Sequence, residues 1–127
     1  MEQAGIDAPK TYEELLTAGN TFREVLGEEY YPLAMDAAAR MNLMISYLES
    51  TTGKAWVVDR QLQYSADEIK TGLEFLQALE ENHVMPTLAA QQTNGTLDQT
   101  PMWQNGQYAG TFAWDADAET YRSALKN

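Results

Sequence analysis

The segment Pro9 to Leu16 constrains the fold most, because a proline-containing loop runs directly into residues that begin a helix. Thr11 is a favoured N-cap, since its hydroxyl can accept a hydrogen bond from a backbone N–H of the first turn. Glu14, three residues later, can accept from the N-cap amide and complete a capping box. Acidic residues in the first turn also suit the positive end of the helix dipole. The pattern predicts a helix from Tyr12 to Leu26.

Apolar residues at helical spacing support this helix and predict two more. Gly27 is a suitable C-terminal stop for the first helix, whose apolar face consists of Leu15, Gly19, Phe22 and Leu26. A second helix is predicted from about Ala38 to Glu49, with a stripe formed by Met41, Met44, Ile45 and Leu48. A capping box at Ser65 predicts a third helix from Ala66 to about Asn82, with an inner face of Ile69, Leu73, Leu76 and Leu79.

Short apolar and aromatic segments predict a few strands among these helices. Tyr30 to Met35 and Tyr108 to Trp114 each have the composition of a buried strand. Trp56 to Val58 and Leu62 to Tyr64 flank a two-residue polar turn and predict a small hairpin.

The C-terminal half has weaker helical signals. Thr87 to Thr96 is polar and glutamine-rich, so it is predicted to be a loop or a weak helix. Asp98 is suited to cap a short helix through Trp103, and Asp115 is suited to cap a last helix to Leu125. All these elements together predict a mostly helical α/β fold in one domain, residues 1–127.

Composition excludes several classes of function. Eight basic residues against nineteen acidic ones give a net charge of −11, which disfavours nucleic acid and anionic membrane surfaces as partners. The lack of cysteine excludes disulfides, thiolate metal sites and cysteine nucleophiles. Because His83 is the single histidine, multi-histidine metal sites are excluded too, and we expect neither a metal nor a cofactor. No apolar run approaches the length of a transmembrane helix.

Motifs at four places along the chain occur in the same order in one known family. They are Pro9 to Leu15, Tyr31 to Ala34, Gly72 to Leu76, and Trp103 to Gly110. In this order they resemble the second, helix-rich lobe of bacterial ABC-transporter solute-binding proteins of the sugar-binding type. The resemblance extends from about Gly5 to Leu125. It departs from the family pattern at Tyr12, where tryptophan is usual, and at Gly110, where methionine is frequent.

The resemblance implies one lobe of a periplasmic-binding-protein-like fold, with few short strands, a small hairpin and the other lobe missing. It implies that the full-length protein is the carbohydrate-binding component of an ABC importer, and that this chain supplies one side of the ligand cleft. The implied partners are a sugar or oligosaccharide and the permease subunits in the membrane. The implied location is extracellular or periplasmic, with membrane anchoring. Since Met1 to Gln3 lacks the features of a signal peptide, we expect an excised piece of a longer protein.

The resemblance also implies a half-site for a sugar, which we assign to Asp36, Arg40, Trp114 and Asp115. Sugar recognition uses flat aromatic rings against apolar ring faces and planar polar groups against hydroxyls. Each of these residues also has a structural interpretation. Trp114 would be a core residue, Asp36 and Asp115 would be helix caps, and Arg40 would be a solvated helix residue.

Two other functions compete with this reading. We expect no catalytic residues, because carboxylate pairs such as Asp115 and Asp117 have no spacing that selects a glycosidase, and no phosphate-binding loop is present. The alternative function is a free-standing acidic helical module that binds proteins and no small molecule. Such a module should carry an exposed apolar helix face, whereas a lobe should place polar and aromatic residues at one cleft.

Overall fold

Three long helices form the framework of the computed structural model, which describes residues 1–91 and 95–126. They are α1 (Tyr12–Leu26), α2 (Ala37–Thr52) and α3 (Ala66–Glu81). All three confirm the predicted helices, although α2 extends further at its C-terminal end than the predicted Glu49.

Local capping chemistry begins α1 and α3. The Thr11 hydroxyl accepts from the Glu14 N–H at 3.1 Å, as predicted. The return bond differs from the prediction, because the Glu14 carboxylate accepts from the Lys10 N–H at 2.7 Å rather than from the N-cap amide. At α3 the full capping box forms, since Ser65 accepts from the Glu68 N–H and the Glu68 carboxylate accepts from the Ser65 N–H.

The main hydrophobic core lies where the three helices meet. Its buried members are Met35, Leu43, Phe75, Leu79, Val84 and Met85. The prediction of inner-face residues is wrong at two positions, because Met41 and Leu73 are 48% and 54% exposed. Leu43 and Phe75 point into the core from the same helices instead. Hydrophobicity alone could not separate these residues, since both faces of each helix carry apolar side chains.

Gly19 lets α1 approach the chain that follows α3. A Cβ atom at this position would lie 2.1 Å from the Asn82 carbonyl oxygen and 2.6 Å from the Val84 nitrogen. Both neighbours are backbone atoms, so only a residue without a side chain fits this crossing.

The predicted hairpin is confirmed. β1 (Val57–Val58) pairs antiparallel with β2 (Gln61–Leu62). The turn residues Asp59 and Arg60 both have positive φ, 51° and 65°, as a two-residue turn of the I′ type requires.

The two predicted buried strands are wrong. Tyr30 to Met35 and Tyr108 to Trp114 share only an isolated parallel bridge between Tyr31 and Tyr108. The ladder stops there because Pro32 has no N–H to donate, and because the Leu33 N–H donates to the Val84 carbonyl. The two segments still lie side by side, since the Ala34 N–H donates to the Gly110 carbonyl at 3.0 Å.

Short helices complete the chain. They are a first 3-10 turn (Glu2–Ala4), α4 (Leu88–Gln91), a second 3-10 turn (Leu97–Gln99), α5 (Pro101–Gln104), a third 3-10 turn (Asp115–Asp117) and α6 (Ala118–Ser123). The predicted loop or weak helix from Thr87 to Thr96 is helical over α4, and its part from 92 to 94 lies outside the described residues. Thr100 caps α5 in place of the predicted Asp98. Within 1–91 and 95–126, no helix has both the length and the apolar character to cross a membrane.

Candidate functional site

A pocket of about 460 Å³ opens between the first half of α2 and the segment that leads into α6. Its lining combines exposed aromatic rings with carboxylate, amide and hydroxyl groups. The residues are Asp36, Ala38, Ala39, Asn42, Ile45, Ser46, Thr111, Phe112, Ala113, Trp114, Asp117 and Tyr121. The volume lies within the range of about 300–1,000 Å³ that small-molecule sites occupy.

Asp36 fixes the start of α2 at one wall of the pocket. Its carboxylate caps the helix by accepting from the Ala39 N–H at 2.8 Å. Ala38, Asn42 and Ile45 follow at helical spacing and therefore share the face that lines the pocket. Small side chains at the start of the helix leave room for a ligand against this wall.

The opposite wall is the extended segment 111–114. The hydrogen bond from Ala34 to the Gly110 carbonyl holds the chain beside the start of α2 immediately before this segment. Phe112 and Trp114 are the two aromatic residues of this wall. Phe112 is 40% exposed and Trp114 is 75% exposed. An exposed tryptophan on a pocket is unusual, because large aromatic residues ordinarily bury most of their surface.

Trp103 anchors α6 at the end of the pocket. Its indole N–H donates to the Tyr121 carbonyl at 2.8 Å, and the two rings meet edge to face with centroids 4.8 Å apart. The pKa of the Tyr121 phenol is raised above its usual value, and burial is the largest cause. Three carboxylates raise this pKa further, those of Asp36, Asp98 and Asp117. The Tyr121 hydroxyl therefore stays protonated near neutral pH in a negative environment.

Two of the four residues predicted for a half-site line this pocket. Trp114 and Asp36 do so on opposite walls, and Asp36 is also the helix cap of its structural interpretation. Asp115 is exposed and lies outside the lining, where its carboxylate accepts from the adjacent Ala116 N–H at 2.9 Å. It does not cap the last helix as predicted, because α6 begins only after the intervening 3-10 turn.

Arg40 lies inside the protein, away from the pocket. Only 5% of the residue is exposed, so it is not the solvated residue of the structural interpretation. Its guanidinium donates to the carbonyls of Met35 and Pro86 at 3.0 and 2.7 Å, and to the Glu80 carboxylate at 2.5 Å. These contacts join the start of α2 to the end of α3 and the loop after it. With its donors engaged in this way, Arg40 does not line the pocket.

Sequence reasoning missed Asn42, Phe112, Asp117 and Tyr121 as lining residues. Phe112 had a usable signal, because alternate residues of an extended segment share a side with Trp114. Asp117 and Tyr121 are four residues apart, the spacing of neighbours on a helix face. Within the described part of the chain, no group of three or more metal-ligating side chains is placed to hold an ion.

Solved structures similar to this chain include two periplasmic binding proteins from different bacteria. One is an oligogalacturonide-binding protein from Yersinia enterocolitica in complex with saturated digalacturonic acid, with a TM-score of 0.92 and 28% identity. The other is a solute-binding protein from Pectobacterium atrosepticum, with a TM-score of 0.89 and 30% identity. Each match covers 99% of this chain. It covers 32% of the Yersinia protein and 33% of the Pectobacterium protein.

This chain has the fold of one lobe of the periplasmic solute-binding proteins. The predicted resemblance and the fold class are thereby confirmed. The chain spans about a third of the length of the proteins that it matches.

Other comparisons add little to the assignment of function. A de novo designed cysteine esterase also matches, with a TM-score of 0.92, 29% identity and 32% of its own length covered. Models of protein families give no match, and neither do curated proteins.

Proposed function

We propose that this chain supplies one lobe of the ligand cleft in a carbohydrate-binding component of an ABC importer. The observation that carries the proposal is Trp114, which is 75% exposed on a pocket that combines apolar and polar side chains, in a lobe similar to sugar-binding proteins. A ligand that covers the indole would gain free energy by removing its apolar surface from water.

The pocket offers the two kinds of contact that a sugar needs. The flat faces of Trp114 and Phe112 suit the apolar C–H face of a pyranose ring. Asn42, Asp117 and the Tyr121 hydroxyl provide donors and acceptors for the ring hydroxyls. Asp36 and Trp114 therefore remain in the proposed site, together with these newly found neighbours.

Closure of a second lobe over this pocket is the mechanism that we infer. Trp114 leaves most of its surface uncovered in the single lobe, so a ligand bound here would be sandwiched when the cleft closes. Permease subunits in the membrane would then receive the closed form, and the full-length protein would be periplasmic or extracellular and anchored to the membrane.

The chain does not act as an enzyme in this account. Asp36 is engaged as a helix cap, and Asp117, the other carboxylate of the lining, has no histidine or lysine among the described lining residues with which to form an acid–base pair. The rival function, a protein-interaction module, would use the exposed apolar side chains of the hairpin (Val57, Val58 and Leu62) or of single helix positions such as Val25 and Leu73, none of which lines this pocket. Trp114 by contrast lies among polar groups at one cleft.

Ligand-observed NMR on the purified chain tests the proposal. Saturation transfer detects dissociation constants in the millimolar range, which is the affinity of about −4 kcal/mol that we expect from half a site. The probes are oligosaccharides, including digalacturonic acid and its neutral counterpart galactobiose. Transfer to at least one probe, abolished by Trp114→Ala, is the expected result.

The matched control is Leu73→Ala, which removes an exposed apolar side chain from α3 outside the pocket. It should leave saturation transfer unchanged. If no oligosaccharide receives saturation from the wild-type chain, or if both variants behave alike, the carbohydrate site is refuted.

A further inference from the structure

We propose that this half-site takes an uncharged carbohydrate in preference to a sugar acid. The inference rests on the proposed function and concerns the chemical class of its ligand. Two carboxylates, Asp36 and Asp117, line the pocket, and none of the lining residues described is Lys, Arg or His. Recognition of a sugar carboxylate ordinarily uses Arg or Lys, because these side chains form charge-assisted hydrogen bonds with it.

The start of α2 is the one feature of the pocket that would ordinarily attract an anion. The first amides of a helix and its dipole favour negative charge. Here the Asp36 carboxylate already fills that role by accepting from the Ala39 N–H at 2.8 Å. A ligand carboxylate approaching this end of the helix would therefore meet a second negative charge.

Arginines near the pocket in sequence are already paired. Arg40 is buried with Glu80 and two backbone carbonyls. Arg122, next to the pocket residue Tyr121, pairs with Glu119 on the exposed side of α6. Arg40 could not meet a sugar acid without leaving its buried partners. Arg122 is held only by an exposed ion pair, but it lies outside the pocket lining.

Tyr121 lies in the field of the same carboxylates. Its pKa is raised first by burial and then by three carboxylates, those of Asp36, Asp98 and Asp117. The hydroxyl remains a neutral donor, which suits a sugar hydroxyl. The same carboxylates repel an anion, and closure would strengthen the repulsion by removing water.

Paired probes test the charge preference directly. Each sugar acid is compared with its neutral counterpart of the same linkage, digalacturonic acid with galactobiose and cellobiouronic acid with cellobiose. Saturation-transfer titrations of the chain at low salt should give dissociation constants at least about ten-fold lower for the neutral member. Added sodium chloride should narrow the difference, because it screens the repulsion.

Two variants that each remove one negative charge test whether Asp36 and Asp117 cause the preference for the neutral sugar. Asp36→Asn keeps a good helix cap and Asp117→Asn keeps the side-chain size, so both should reduce the preference for the neutral member. Asp115→Asn is the matched control, since it removes the same charge two residues from Asp117 and outside the lining. It should change the preference less than the other two.

Equal or tighter binding of the sugar acids would overturn this inference while leaving the carbohydrate site intact. Absence of saturation transfer to every probe would instead refute the proposed function itself.

Discussion

Replacing Arg40 by methionine should destabilise the fold. The guanidinium has three acceptors within 3.0 Å, the carbonyls of Met35 and Pro86 and the carboxylate of Glu80. Two of these lie more than 35 residues away in sequence, so the side chain joins parts of the fold that local structure does not connect.

The expected magnitude follows from these contacts. Removing one member of a buried ion pair costs about 3–5 kcal/mol, and the lower end applies because the Glu80 side chain is 30% exposed and can be rehydrated. Each backbone carbonyl that loses its donor adds about 1 kcal/mol if water does not replace it. Methionine retains the packing of the aliphatic stem. We therefore expect the free energy of unfolding to fall by about 3 kcal/mol if water replaces the guanidinium at both carbonyls, and by about 5 kcal/mol if it replaces it at neither.

Urea unfolding followed by circular dichroism measures this change. Arg122→Met is the matched control, because its pair with Glu119 has side chains 77% and 70% exposed. Exposed pairs of this kind contribute little, so its unfolding midpoint should stay close to that of the wild type. If Arg40→Met and Arg122→Met shift the midpoint equally, the buried contacts of Arg40 do not stabilise the fold.

Two further perturbations probe the framework. Gly19→Ala should reduce the free energy of unfolding by about 2 kcal/mol in a urea titration, although alanine has the higher helix propensity. Gly72→Ala is the control and should reduce it less, because the neighbours of Gly72 are the side chains of Met44 and Leu48, which can move. Burial lowers the pKa of His83 below 6.5, so the folded state binds its proton less readily than the unfolded chain does. Stability that is present above pH 6.5 should therefore be lost as the pH falls through the lowered pKa. Thermal melts at several pH values measure this loss. His83→Asn should reduce the loss, and asparagine tolerates the positive φ of 59° at this position.

Features set by neighbouring residues could be predicted from the sequence. The capping box at Ser65 and the hairpin turn at Asp59 depend on contacts within a few residues, and both are present in the structure. The long helices could be placed for the same reason. Met41 and Leu73 were misplaced because their exposure depends on which face of each helix meets another helix.

Features set by distant contacts could not be predicted. The segment around Tyr31 has strand composition, but its hydrogen bonds are divided between Gln107, Val84 and Gly110, so no regular ladder forms. Arg40 gave no sign of burial, because its partners Glu80 and Pro86 come close only in the folded chain. Trp114 could be placed at the pocket because the family resemblance marked the end of that segment, whereas composition alone favoured the core.

The size and location of the native polypeptide test the central claim most directly. An antibody raised against this chain would be applied to fractionated cells that express it. A solute-binding protein of the length of the matched structures predicts a band about three times the 14.2 kDa of this chain, in the periplasmic, envelope or secreted fraction. A band of 14.2 kDa in the cytosol would contradict the account and favour the protein-interaction module.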